Sequence, residues 1–399
     1  MTIDFVPSIL KGNPHCEHNE SALEGQMVKI LECQHGKQAV VRAGKVLSER
    51  NLVRDQSYGR YDYTADQAFD IAHDWRDSHN YPQWRVRIEL GNMARKVDAG
   101  ATCASRLKRM SSIRAKLRKN VSLYQMQDIA GCRAIVETIE DVRALVSRYQ
   151  DGASKHILVD EDDYLSRPKL DGYRSHHLVM KLGDHPQSER FSRNTVEIQI
   201  RSRLQHSWAT AVEVIDLITG QNLKGGVGDD DWKRFFSLVS SLFADHEDCE
   251  GVEGTPDSFE EAKSEIIELE AKLEVTKRLE KFKNAVKYIE ENYYFGTHSK
   301  IFLLQYDLES NSVTVRTYGE LSFDRSIYGN EEREHPDVNT VLVNVEDAEN
   351  LMAAYPNYFM DVGYFLGRLR VITHGTKLEP VKILNIDWLK NAFKPKSPN

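Results

Sequence analysis

Long apolar runs are missing from this chain. No stretch approaches the roughly 18 consecutive apolar residues that a membrane-spanning helix needs, so no membrane partner is expected. Cysteine is scarce, with five residues in 399, and their odd number and scattered positions exclude a dense disulfide framework. That usage suits a reducing cytosol. The opening segment, MTIDFVPSILKGNPHCEHNE, lacks a basic stretch followed by a long apolar one, so a secretory leader is not expected and a cytoplasmic location is. An excess of positive charge is also absent. The 61 acids outnumber 53 bases for a net charge of −8, which argues against a protein coated in nucleic acid and leaves room only for a local basic patch. The Walker loop G-x-x-x-x-G-K-[ST] occurs nowhere, which removes the P-loop solution to phosphate binding. Hydrophobic residues make up 40% and aromatics 9%, enough for a packed core, so global disorder is excluded.

The length fits two or three domains. Residues 1–35 read as an N-terminal extension. It holds His15, Cys16 and His18, followed by Cys33 and His35, a C-x-H…C-x-H pattern with enough donors for zinc but no standard knuckle spacing. Polar residues around an N-terminal helix are the simpler expectation. From 36 to 97, QAVVRAGKVLSE, ADQAFDIAHDWRDSHN and PQWRVRIELGNMARKV carry apolar residues three and four apart and predict helices. The period then changes. Residues 132–138, 155–163, 175–183 and 195–202 read as strands, with helices over 110–119, 140–150 and 203–219. An α/β (α+β) domain over 36–225 with a mixed sheet follows. Beyond the break GGVGDDD, residues 226–294 read as a helical region. Its last part, FEEAKSEIIELEAKLEVTKRLEKFKNAVKYIEEN, predicts one long helix of about 50 Å, suited to a spoke or to a seam between two copies of the chain. Residues 295–399 predict a small α+β C-terminal domain with a hairpin, SKIFLLQYDL and SVTVRTYGE, a strand NTVLVNV, and helices over EDAENLMAAYP and NYFMDVGYFLGRLRVI.

Chemistry concentrates in four places. Residues 104–120, ASRLKRMSSIRAKLRKN, hold seven basic side chains and no acid. Arg106 and Lys108 alternate on a strand end, and Ser112 and Lys116 share one face of the helix after it. Strand, turn and helix N-terminus would aim cations and N–H groups at a phosphate chain. Asp128 precedes a buried strand that carries Arg133, in the position of an acid that holds Mg²⁺ on substrate phosphates. In VEIQIR, alternation puts Glu197, Gln199 and Arg201 on one polar face. PKLDGYRSHH, from Pro168 to His177, crowds Lys169, Asp171, Tyr173 and His177 into a turn before a strand.

In order, these pieces are R-x-K-x3-S-x3-K, D-I-x-G-x-R, P-K-x-x-G-Y-x-S-x-H and E-I-Q-I-R-S-x-x-x-H. Together they resemble the synthetase domain of RelA/SpoT-type (p)ppGpp synthetases over roughly residues 90–220. The short layout and HSWATAVEVID look most like the small alarmone synthetases and their toxic relatives. The resemblance implies a nucleotidyltransferase-like mixed sheet with flanking helices. It implies transfer of the β,γ-pyrophosphate of ATP to the 3′-hydroxyl of GDP or GTP, with Mg²⁺ as cofactor. ATP phosphates would be held by Arg106, Lys108, Ser112 and Lys116, with Arg133 nearby. Asp128 and Glu197 would be catalytic and bind the metal. Tyr173 would stack on the acceptor base, with Lys169, Asp171, His177, Gln199, Arg201 and His206 around it. Asp171 stands where the family usually has asparagine, and an acid there would repel acceptor phosphates. The tRNA 3′ end is therefore an alternative acceptor, and a non-catalytic nucleotide-binding protein a further alternative. The hydrolase half of the longer enzymes is not expected: His73-Asp74 is an isolated HD dipeptide in an amphipathic helix. A protein partner or trigger is expected at the C-terminal region, which shows no chemistry of its own.

Overall fold

The chain enters its first core through helices whose apolar faces need cover. The computed structural model describes residues 30–53, 56–183, 185–285, 287–292, 300–307, 312–319, 339–345 and 362–375. Helices α1 (Lys37–Leu47), α2 (Ala65–Asp77) and α3 (Asn80–Val97) match the predicted ones within three residues at either end. A short ribbon that the periodicity had not signalled, β1 (Ser57–Tyr58) and β2 (Tyr63–Thr64), leads into α2. There Thr64 and Gln67 close a reciprocal capping box. Helix α4 (Met110–Leu117) lays Met110, Ile113 and Leu117 on Val40, Ala43, Val46, Ile71 and Trp75 of α1 and α2. The N-terminal helices therefore buttress the basic helix from below.

The predicted sheet is present. Its strands are β3 (Thr102–Leu107), β4 (Ala130–Val136), β5 (Ile157–Asp163), β6 (His176–Lys181) and β7 (Val196–Ser202). Only β4 and β7 are parallel. The neighbouring pairs β3–β4, β6–β7 and β5–β6 are antiparallel, which makes the sheet mixed. Helices α3 and α5 (Ile139–Gln150) cover one face, burying Val86, Leu90, Val142 and Leu145 against Cys132, Leu178, Ile198 and Ile200. The other face stays open in its centre and is walled by α6 (Arg203–Thr219) and α7 (Asp230–His246), packed through Trp208, Phe235 and Phe236.

Two expectations are corrected. The single long helix is two: α8 (Phe259–Leu273) and α9 (Val275–Ala285), separated at Glu274, whose φ of 50° is left-handed. The apolar phase explains the break. Leu269 and Val275 are six residues apart, about 120° out of phase on a continuous helix, yet both are buried; the turn at Glu274 brings the two faces back to one core. Residues expected to end that helix instead form β8 (Lys287–Asn292), parallel to β10 (Ser312–Gly319), so tertiary pairing overrides helical periodicity. The C-terminal strands also do not close a sheet of their own. The predicted hairpin, β9 (Lys300–Asp307) with β10, and strand β11 (Asn339–Val345) continue the first sheet, because β11 lies antiparallel beside β3 with Asn344 opposite Ser105. The order across it is β5-β6-β7-β4-β3-β11-β9-β10-β8. Helix α10 (Gly363–His374) packs Phe365 on Phe236 and Phe243. The helix expected over EDAENLMAAYP and the residues His15, Cys16 and His18 lie outside the described residues.

Candidate active site

Strand register builds the floor of a cleft. Ala104 of β3 faces Arg133 of β4, which faces Gln199 of β7, then His177 of β6 and Asp162 of β5. In a second row, Arg106 faces Gly131, and Gly131 faces Glu197. Because alternate residues share a face, the even and odd positions separate as predicted: Val196, Ile198 and Ile200 are fully buried, while Glu197 and Gln199 look into the cleft. The cleft has a volume of about 430 Å³. Arg106, Lys108, Lys116, Asp128, Arg133, Lys169, Asp171, Tyr173, His177, Glu197, Gln199 and Arg201 all line it. Two predicted residues do not. Ser112 sits half-buried on α4 and His206 is buried in α6, both outside the lining.

At one end, cations converge on an acid. Lys108 Nζ donates to Asp128 Oδ2 at 2.7 Å and Lys116 Nζ to the same oxygen at 2.6 Å. The β3–α4 turn supplies one lysine and the last turn of α4 the other. Burial pushes the Asp128 carboxyl up, but the two ammonium groups outweigh it and hold the group below the usual carboxylate range. Asp128 Oδ1 is buried with no hydrogen-bond partner.

At the other end, polar groups form a directed chain. Arg201 Nη2 donates to the Tyr173 hydroxyl at 2.6 Å, and that hydroxyl lies 2.8 Å from His177 Nε2. His177 Nδ1 is 3.2 Å from Glu197 Oε1, which places a proton on Nδ1 and directs the Tyr173 O–H to Nε2. Gln199 Nε2 donates to Glu197 Oε2 at 2.7 Å, and its Oε1 accepts from Arg201 at 3.0 Å. Burial would raise the Glu197 carboxyl; the hydrogen bonds from His177 and Gln199 reverse this and hold it at about 2.

The PKLDGYRSHH turn has a local cause. The Tyr173 N–H donates to Asp171 Oδ1 at 2.9 Å, and the Gly172 N–H to the Lys169 carbonyl at 2.8 Å. Gly172 sits at φ +91°, and a Cβ there would lie 2.8 Å from Trp208 Cζ2. Only glycine satisfies both demands. Asp171 is therefore a turn cap. Arg174 leaves the cleft to bond Ser240 Oγ at 3.0 Å, and His176 points to the opposite face, 2.6 Å from Glu161 Oε1.

Tyr164 was missed. Its ring lies edge-on to His177 at 5.1 Å and under Lys169 Nζ at 4.4 Å, inside the cleft. The signal was available: Asp162 pairs with His177, and alternation carries Tyr164 to the same face. A larger cavity of about 1200 Å³ behind β5 and β6 holds none of these residues. It pits Arg143, Arg167 and His176 against Asp245, Asp248, Glu250 and Glu253, with no convergent cations for a phosphate chain.

Comparison with known proteins bears on the same segment. Residues 105–214 match the family described as the region found in RelA/SpoT proteins, the segment that carries the four motifs and most of the cleft. The chain is 36% identical to the GTP pyrophosphokinase YjbM of Bacillus subtilis over 109 residues, 26% of this chain and 51% of that protein. It is 37% identical over 115 residues to a chloroplastic probable GTP diphosphokinase of Oryza sativa subsp. japonica, covering 27% of this chain and 15% of the other. The chain thus spans about half the length, or less, of these relatives. Among solved structures, small alarmone synthetase 1 from Bacillus subtilis bound to its product pppGpp is 22% identical; the match covers 43% of this chain and 89% of that one, with a TM-score of 0.37.

Proposed function

We propose that this chain is an ATP pyrophosphokinase that transfers the β,γ-pyrophosphate of ATP to the 3′-hydroxyl of a guanine nucleotide, GDP or GTP. One observation carries the reading: two lysines meet on Asp128 at one end of a polar sheet floor whose other end is an ionised glutamate wired to a tyrosine. In the transfer, the 3′-oxygen bonds to the β-phosphorus, the bond from that phosphorus to the α,β-bridging oxygen breaks, AMP leaves, and the hydroxyl proton passes to water. Such a loose transition state asks for positioning and charge neutralisation more than for covalent chemistry. Arg106, Lys108, Lys116 and Arg133 supply the cations along β3, α4 and β4. Glu197, held at about 2, is a weak base, so its role is to accept a hydrogen bond from the 3′-hydroxyl and present fixed negative charge rather than to abstract a proton early.

The residues fit a magnesium ion. Asp128 keeps one buried carboxylate oxygen without a partner, and Glu197 is ionised, which is the hard oxygen donor set Mg²⁺ takes beside substrate phosphates. When bound, the ion would neutralise charge developing on the transferred phosphates. Lys108 and Lys116, now spent on Asp128, would then be released toward those phosphates. The acceptor guanine would pack on the Tyr173 and Tyr164 rings, with Lys169 and Arg201 fixing their pose. Because Asp171 is committed to its turn, it gives no specific reason to prefer a tRNA end over a nucleotide.

The test is product analysis by mass spectrometry after incubation with ATP and GDP or GTP, in parallel with γ-labelled ATP and tRNA. A pyrophosphorylated guanine nucleotide that disappears in Glu197→Gln and Asp128→Asn is the expected result. Label on tRNA alone would replace the acceptor, and no product from either would sink the assignment.

A further inference from the structure

Outside the cleft, the fold brings a carboxylate of α2 onto two side chains that precede it by about 40 residues in the sequence. Cys33 and His35 belong to the segment just before α1, and Asp74 to α2. Their ligand atoms, Sγ, a ring nitrogen and a carboxylate oxygen, lie within 4.8 Å of one another. Among the described residues, no other three His, Cys, Asp or Glu side chains come as close. His35 Nδ1 is 2.7 Å from Asp74 Oδ2, and the same oxygen accepts the Gln34 N–H at 2.7 Å. All three side chains are half-buried, open enough for an ion to enter.

We propose that Cys33, His35 and Asp74 form a zinc site that ties the segment before α1 to helix α2. The donor set decides the metal: one sulfur, one nitrogen and one oxygen suit zinc and exclude magnesium and calcium, which take oxygen. Ligand atoms of a tetrahedral zinc stand about 3.5 Å apart, so the His35–Asp74 pair, at 2.7 Å, would open by under about 1 Å to admit the ion. In the metal-free arrangement a proton bridges Nδ1 and Oδ2, and zinc takes its place. Three protein ligands leave a fourth position for water. Arg193, beside Cys33 and over the Trp75 ring at 5.9 Å, opposes a cation, and zinc has to displace the Cys33 thiol proton as well as the one shared by His35 and Asp74. Cys33 packs on the core shared by α1, α2 and α4, the last of which presents Lys116 to the cleft, so the ion would secure the support of the basic helix. This inference stands apart from the proposed activity.

The full chain, purified without a histidine tag and stripped with chelator, is titrated with zinc, and separately with cobalt to reveal a thiolate-to-metal charge-transfer band. One zinc per chain, a cobalt band and a rise in melting temperature with zinc are expected. Cys33→Ser should abolish the band. Cys33→Ser and Asp74→Asn should each weaken zinc binding by more than about 100-fold, beyond the ~10–100-fold cost of losing an outer-shell partner. Asp74→Asn keeps an acceptor for the Gln34 N–H, and circular dichroism verifies that each variant is folded. Cys249→Ser, a cysteine outside the cluster, should bind as the parent does. No zinc binding by the parent, or parent-like binding by folded Cys33→Ser, would overturn the site.

Discussion

Glu197 shows how far a single side chain can be set by its neighbours. A free glutamate titrates near 4.5 and this one at about 2, so the folded state prefers its ionised form. That preference contributes stability fully above about pH 4.5 and loses it as the pH falls toward 2. Acid-unfolding curves should therefore show the parent's margin over Glu197→Gln shrinking between those values, while turnover of the variant at neutral pH drops by about 100- to 1000-fold. Gly172 is the other residue held by two constraints. Gly172→Ala must hold an alanine at φ +91° and push its methyl into Trp208, so a loss of roughly 1–3 kcal/mol is expected, read as a lower denaturation midpoint. KM for the guanine nucleotide should rise with it, because the same turn carries Tyr173.

At the level of elements, caps were the most legible feature. Helix α6 begins and ends where its pattern says, since Ser202 and Gln205 form a capping box and Gly220 closes the other end at φ +66°. Periodicity was least reliable where two helices shared a hydrophobic count but not a phase, as at Glu274. A glutamate there carries the strain of a left-handed backbone without a glycine's freedom. Glu274→Gly should stabilise the protein by roughly 0.4–1 kcal/mol, measured by chemical denaturation. Strand β8 could not be read from sequence, because its partner β10 lies beyond β9 and its residues carry a helical pattern until that pairing forms. Within the cleft, alternation recovered Glu197 and Gln199 and could have recovered Tyr164. His206 was carried by motif alone and Ser112 also by its spacing from Lys116, and the packing of α6 and α4 turns them away from the lining.

For the molecule as a whole, the shared sheet makes the C-terminal strands a structural continuation of the half that holds the cleft. Phe302, Leu304, Val315, Val341 and Phe365 sit in one core with Trp208 and Phe236, and those two wall the turn at Gly172. Ending the chain after Ala285 would strip that core and bare the edge of β3, which carries Arg106. The fragment is expected to aggregate or melt well below the full chain in a thermal scan; a soluble fragment of unchanged melting temperature would contradict this packing. The order of the four motifs was written in the sequence because each is local: a strand alternates, a turn needs its glycine, a basic helix keeps its spacing. Contacts between distant segments were not written there, since pairing partners are chosen by which surfaces remain to be buried. By itself the sequence determined the mixed sheet, the cations, and the acids Asp128 and Glu197. Only the tertiary structure decided that β11 extends that sheet beyond β3 and that Asp74 meets Cys33 and His35, because burial and register act across space rather than along the chain.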